Sequence, residues 1–421
     1  MRSPDQACPA LIVLLSVSAV AHASDWPQFR GPARDGKSPE VNLLKEWPKE
    51  GPRLLWTVTG LGEGWSSAAV HSGHVYTTGM EKKRERLFAI DADGREMWRK
   101  EYGGAWSRSY PAARTTPTID GEGLYVISGA GEVVCLNRAS GDIVWKVDGL
   151  ATFGGKTGNW GTAECPLVDE TKVYYTPCGP KTTVVALDKR TGETVWASES
   201  LNDQSAYVSP VLVNHNGRDL LVTITARHII GVDAKAGNIL WKYAYAKNHP
   251  TASENRLMIN AVSPLYHDGR VFATSGYDHV GVMFQLSSDG TKADPLWITE
   301  TLDCHHGGVV FIDGRIHGSN WHSNTRGNWI CLDWDTGKVL YDQSWQGNKG
   351  PVILAEGMLY CWDEDTGHVA LVKASATKFD PVSSFQVTVG EGKFWAHPSI
   401  SEGRLYLRHG EYLMAYDIQA R

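Results

Sequence analysis

From Arg53 onward the chain is written in short apolar and β-branched runs separated by polar turns such as Asp120-Gly121, Asp268-Gly269 and Asp313-Gly314. Such runs read as strands joined by tight turns. Ahead of most first runs stands a copy of one four-residue stretch. The copies are Trp65-Ser66-Ser67-Ala68, Arg114-Thr115-Thr116-Pro117, Ala163-Glu164-Cys165-Pro166 and Tyr207-Val208-Ser209-Pro210. They continue with Ala261-Val262-Ser263-Pro264, His305-His306-Gly307-Gly308, Asn348-Lys349-Gly350-Pro351 and Trp395-Ala396-His397-Pro398. Their third positions lie 49, 49, 44, 54, 44, 43 and 47 residues apart. A period in this range marks a repeat architecture, and units of about 40–50 residues with four strands each are propeller blades.

A second repeat closes most units, with Asp, Thr, Gly and Trp at fixed offsets. Asp188, Gly192 and Trp196 form one copy, and Asp233, Gly237 and Trp241 another. Asn137, Gly141 and Trp145 vary it, Asp91, Gly94 and Trp98 shorten it by one residue, and Tyr341 replaces Trp after Asp333 and Gly337. Asp and Thr side chains bond turn backbone, Gly supplies positive φ, and Trp can seal one blade against the next. At the ends, Leu54–Val58 reads as an outer strand without a preceding partner, and Leu413–Asp417 lacks a following one. Their pairing predicts an all-β, eight-bladed β-propeller closed by its N- and C-terminal strands, with no free sheet edge at the closure. The unit near Phe385 has lost the turn motif, which leaves seven blades as the alternative.

Composition adds bounds. With 42% hydrophobic residues, 44 Gly and 17 Trp, the chain suits many short strands around a large core. A net charge of −6, with no Lys/Arg run beside an aromatic platform, argues against nucleic acid. Residues 1–23 read as a signal peptide: Arg2, an apolar run from Ala10 to Ala21, and Ala21-His22-Ala23 for cleavage. The mature protein is then periplasmic or secreted, with no membrane anchor, since Cys8 precedes the apolar run. Residues 24–52 form an extended arm that Trp26 and Phe29 would pin to the outside of the ring, and 53–421 form the propeller. Six cysteines remain; none has CxxC spacing, and only Cys165 and Cys178, flanking one hairpin, suggest a bridge.

Two sets of loops share one face, those entering first strands and those joining second to third strands. First strands line the channel, so a small-molecule site belongs on that face. Where eight strands converge the repeated third position should be small, and His397 breaks that rule. In the two preceding columns Arg114, Glu164, His305, His306 and Lys349 stand out. Buried without partners, such groups cost several kcal/mol, so they pair across the channel or await a ligand. With Trp65 and Trp395 as stacking platforms and His397 beside them, they form the candidate ligand-binding set. His305, His306 and Tyr207 are the catalytic candidates, imidazole and phenol being suited to proton transfer α to a carboxylate. His322 and His409 could reach the same mouth, but no HxH or HExxH spacing defines a metal.

The Asp-x-x-Thr-Gly-x-x-x-Trp units, the opening Asp25–Gly36 and the ending from Trp395 to Gly410 resemble the pyrrolo-quinoline-quinone-like (PQQ-like) repeat proteins over essentially the whole mature chain. The resemblance implies an eight-bladed propeller. It also implies one of several roles: a PQQ-dependent alcohol or sugar oxidoreductase, an outer-membrane assembly scaffold, or another envelope protein. The family's dehydrogenases hold PQQ with Ca²⁺ beside a disulfide of adjacent cysteines, and this sequence has no adjacent cysteine pair. The cofactor therefore stays open, with PQQ and calcium as the candidate. The leading reading is an exported propeller whose polar central mouth binds a small molecule, a carbohydrate or an envelope partner. A carbohydrate-active enzyme of lyase type is a further alternative, resting on the Trp-rich mouth.

Overall fold

The computed structural model describes residues 24–248 and 259–420, so the signal-peptide reading of residues 1–23 lies outside the described residues. Eight antiparallel sheets follow one another around a ring. Blade 1 begins with the inner strand Ala69–His71 and ends with the outer strand Glu96–Gly104. The inner strands of blades 2 to 7 start at Thr118, Leu167, Val211, Leu265, Val309 and Val352. Blade 8 takes Ser399–Ser401, Arg404–His409 and Tyr412–Asp417 from the C-terminus and Arg53–Val58 from the N-terminus, with Leu54 opposite Tyr416 and Trp56 opposite Ala415. The ring is thus eight blades closed by both ends of the chain, and the unit near Phe385 is a full blade 7. No helix among the described residues is long and apolar enough to cross a membrane.

The second repeat works as its chemistry suggests. In blade 3, Asp188 Oδ1 accepts from the amides of Arg190 and Thr191, and Gly192 turns at φ 75°. In blades 1, 2, 3, 5 and 8 the Trp then lies on the turn glycine of the next blade. A Cβ at Gly141 would sit 2.7 Å from Trp98, and one at Gly192 2.8 Å from Trp145. Trp145 and Trp196 also donate Nε1–H to the carbonyls of Lys189 and Ala234 in the following blades. Glycine is required twice over, for positive φ and for close approach. Blade 7 obeys the same logic without the motif: Phe385 covers Gly51, which turns at φ 88° just before the outer strand of blade 8. Each apolar layer is shared by neighbouring blades. Tyr76, Leu87 and Ala89 of blade 1, for example, pack against Leu124, Val126 and Val134 of blade 2.

The arm departs from expectation. It does not run along the outside of the ring but crosses the channel on the face opposite the mouth. Trp26 is fully buried and exchanges backbone hydrogen bonds with Val70 of the first inner strand. Lys37–Ser38 pairs in parallel with the inner strand of blade 7. Between them Arg34 donates to the carbonyls of Cys165 and Pro166, and Arg30 to those of Gly307, Val309 and Val352. Inner-strand ends have spare carbonyl lone pairs, and two guanidinium forks meet them from inside.

Candidate functional site

Five of the eight repeated third positions, from His397 round to Ser209, are joined in a hydrogen-bonded hoop, which is why positions 67, 116, 165 and 209 are small and polar. The amide of Ser67 donates to Thr116 Oγ1 (2.9 Å), that of Thr116 to Cys165 Sγ (3.1 Å), and that of Cys165 to Ser209 Oγ (3.0 Å). The His397 amide donates to Ser67 Oγ (3.0 Å) and continues the hoop across the ring closure. Cys165 is therefore an acceptor in the hoop, and it and Cys178 are buried free thiols, not a bridge. His397 keeps its place by a different bargain. Its Nδ1 accepts from Arg30 (3.2 Å), and its Nε2–H donates to the His306 carbonyl (2.8 Å). Burial and the Arg30 charge push this imidazole down to about 3, so it is neutral.

The two preceding columns alternate, as extended backbone must. Residues two before the hoop face the channel: Trp65, Arg114, Tyr207, His305 and Trp395 all line one cavity of about 340 Å³. Residues one before it turn into their own blade, except His306, which lines the cavity beside His305. Thr115 bonds the Ile127 carbonyl, and Glu164 accepts from the amide and hydroxyl of Thr176. Glu164 and Lys349, which the sequence puts in the ligand-binding set, belong to this second set and do not line the cavity. Phe29, edge-on to His397 at 4.9 Å, joins the lining from the arm side. His409 bonds the carbonyls of Val389 and Gly392, and His322 is exposed, so neither joins the lining.

Glu164 is a buried carboxyl whose burial pushes it up from 4.5 to about 8, against the pull of its Thr176 bonds. An acid with a raised folded pKa takes up a proton on folding. Stability is then greatest below about pH 4.5 and falls as pH rises toward about 8, by up to about 1.4 kcal/mol per pH unit for one group. Glu164→Gln should flatten the curve of urea midpoint against pH between 5 and 8. Curves parallel to wild type would show that this carboxyl does not titrate there.

The charged cluster beside the cavity includes a residue that the sequence did not mark as functional. Glu364, on the second loop set of blade 7, forms an ion pair with Lys349, both side chains being 1% exposed. Lys349 Nζ also donates to His305 Nδ1 (3.0 Å), and His305 Nε2 lies 2.9 Å from the Tyr277 hydroxyl. With Nδ1 accepting, a neutral His305 carries its proton on Nε2 and donates to Tyr277. The line from Lys349 through His305 to Tyr277 can therefore pass a proton toward the cavity. Burial lowers both His305 and His306, the latter further by its cationic and imidazole neighbours. Tyr207 is pushed up to about 12 by burial, which suits it to donate rather than to act as a base.

His305, His306 and Glu364 present ligand atoms within 4.8 Å of one another, the donor set of a His₂-carboxylate metal site. Lys349 already bonds two of those residues, His305 and Glu364, so an ammonium fills the cation seat. The residues do not fit PQQ with calcium as the family's dehydrogenases hold it. No Asp or Glu lines the cavity among the described residues, and the described cysteines are free. A larger depression of about 410 Å³ lies around His215 and Asp219 at a hairpin on the opposite face, where Arg218 is already paired with Asp233.

Residues 83–343 match the family model described as outer membrane protein assembly factor BamB. Among solved structures the chain is similar to BamB from Moraxella catarrhalis, at 12% identity, covering 87% of this chain and 99% of that one, with a TM-score of 0.62. It is also similar to the quinohemoprotein alcohol dehydrogenase from Comamonas testosteroni, at 13% identity, 94% and 81% coverage and a TM-score of 0.72. At these identities the likeness shows the fold. A curated relative, the serine/threonine-protein kinase AfsK of Streptomyces griseus, is 31% identical over 175 residues, and the match spans 40% of this chain and about a fifth of that protein. The family match, which covers more than half the sequence, coincides with the blades and their turn motifs, and the chain belongs to the PQQ-like repeat β-propeller family.

Proposed function

We propose that this protein is an exported propeller that binds a small ring-bearing ligand in its central mouth. The supporting observation is the cavity itself. The channel-facing positions of five different blades supply Trp65, Arg114, Tyr207, His305 and Trp395, while Phe29 comes from the arm. The ring could have been closed there with small residues, as at Ala163 and Ala261. A concave site with aromatic walls and a few convergent polar groups is the usual form of a small-ligand pocket. Export accords with the signal-peptide reading and with the outer-membrane description of the matched family.

Tryptophan fluorescence offers the direct test, because Trp65, Trp160 and Trp395 all lie in the wall. Titration with neutral sugars, sugar acids and PQQ should give saturable changes for at least one class. Trp395→Ala should weaken that binding at least tenfold, about 1.4 kcal/mol, while leaving the melting temperature close to wild type. Binding unaffected by Trp395→Ala would place the ligand elsewhere.

A further inference from the structure

The mouth carries a cation with no acid to match it. Arg114 lines the cavity, its guanidinium 5.1 Å from the centre of the Trp65 ring. Its Nη1 donates to the Ala112 carbonyl (3.0 Å), and its Nη2 donates to the Tyr110 carbonyl. A guanidinium has five N–H donors, so three remain. Among the described residues no carboxylate lies within ion-pair distance of Arg114. Burial lowers it only to about 10, which leaves it charged near neutral pH. The acid that most offsets that burial, Glu85, is itself fully buried, and its carboxyl is pushed up to about 8. Lys393, the other cation in the wall, is paired with Asp365. A guanidinium held rigid by a ring and two carbonyls, facing a cavity wall without acids, is a seat for a planar anion.

The ring geometry narrows the rest of the ligand. Trp65 and Trp395 are tilted by 59°, Tyr110 and Trp395 by 43°, and Trp160 and Tyr207 by 57°. None of these pairs forms the parallel slot that would sandwich a flat aromatic molecule. Tilted faces form a cup that suits the C–H face of a puckered ring, and the hydroxyls of Tyr207 and Tyr277 with His305 supply polar groups for its rim. The volume of about 340 Å³ admits a mono- or disaccharide unit rather than a long buried chain. We infer that the ligand is an acidic sugar, a uronic acid or an oligosaccharide ending in one, with its carboxylate on Arg114 and its ring against Trp395. This inference rests on the small-ligand reading above and specifies its ligand.

The test is calorimetric titration of the mature chain with glucuronate, galacturonate, the disaccharide of galacturonate, the matching neutral hexoses, the uronate methyl esters, PQQ and inorganic phosphate. At least one uronate should bind tenfold or more tighter than its neutral hexose and its methyl ester, a comparison that needs no variant. Arg114→Met should erase that preference while weak binding of the neutral sugar persists. A uronate binding no better than its ester, with neutral sugars still bound, would overturn the acidic assignment and leave the small-ligand reading standing. Binding of PQQ or phosphate alone would overturn the sugar and keep a ligand site. No binding by any probe, with tryptophan fluorescence also unchanged, would overturn both.

Discussion

Lys349→Met should cost about 3–5 kcal/mol of stability, more than any single change among the residues that line the cavity. The reason is Glu364. Both members of this pair are 1% exposed, so removing the ammonium leaves a carboxylate in a dry site with only imidazoles around it. An uncompensated buried charge is the expensive outcome, whereas removing both charges is not. The double variant Lys349→Met/Glu364→Gln should therefore be more stable than Lys349→Met alone, with a coupling of about 2 kcal/mol or more. Additive losses in urea titration would mean that the two groups do not depend on each other. Lys349→Ala adds a second readout. It frees His305 and Glu364, which with His306 complete the donor set, so Zn²⁺ should raise the melting temperature of this variant and leave wild type unmoved. If zinc stabilised both proteins equally, the ammonium would not be filling a cation seat.

Most of the ring was legible in the sequence because its cause is local. Asp188 and Gly192 make their turn within five residues, and Trp196 follows four later, so the motif can be read without knowing what Trp196 touches. Closure by Arg53–Val58 was legible because an unpaired outer strand and an unpaired third strand complete one blade. The site was half legible. Arg114, His305 and His306 stand out in their columns, Trp65 and Trp395 as platforms, Tyr207 as an acid-base group and His397 as a break in a small column, and all seven line one cavity. Glu164 and Lys349 share a register position with His306 but turn into their blades, where Thr176 and Glu364 partner them, and those partners are not local in sequence. Glu364 was passed over because it sits on the other loop set, where no column of small residues sets off an unusual one. Tyr277, which completes the line from Lys349, was hidden for the same reason. The path of the arm was the least legible part. Arg30 and Arg34 look like surface charges in a Pro- and Gly-rich segment, and their partners lie 279 and 131 residues away, beyond the reach of any local pattern.

Arg30→Met should destabilise the ring by about 4 kcal/mol and weaken ligand binding at the mouth as well. Arg30 is 3% exposed, and one guanidinium serves blades 6, 7 and 8 together. It donates to Val309 O at 2.6 Å, to Val352 O at 3.3 Å, to Gly307 O at 3.5 Å and to His397 Nδ1 at 3.2 Å. Hydrogen bonds from a charged donor each contribute about 1.5–3 kcal/mol, and the buried acceptors left behind find no water. The loss also unseats His397, against which Phe29 packs in the cavity lining, so binding should fall with stability. Arg30→Lys should recover little. A single ammonium cannot reproduce a fork that spans acceptors on two inner strands and an imidazole. Urea midpoints for both variants, with the tryptophan titration repeated on each, separate the outcomes. Arg30→Lys close to wild type in both would reduce Arg30 to a buried charge. Arg30→Met within about 1 kcal/mol of wild type would show that the arm only rests on the ring. The expected result, a large loss in both variants with binding lost in step, makes the arm the keystone of blades 6, 7 and 8.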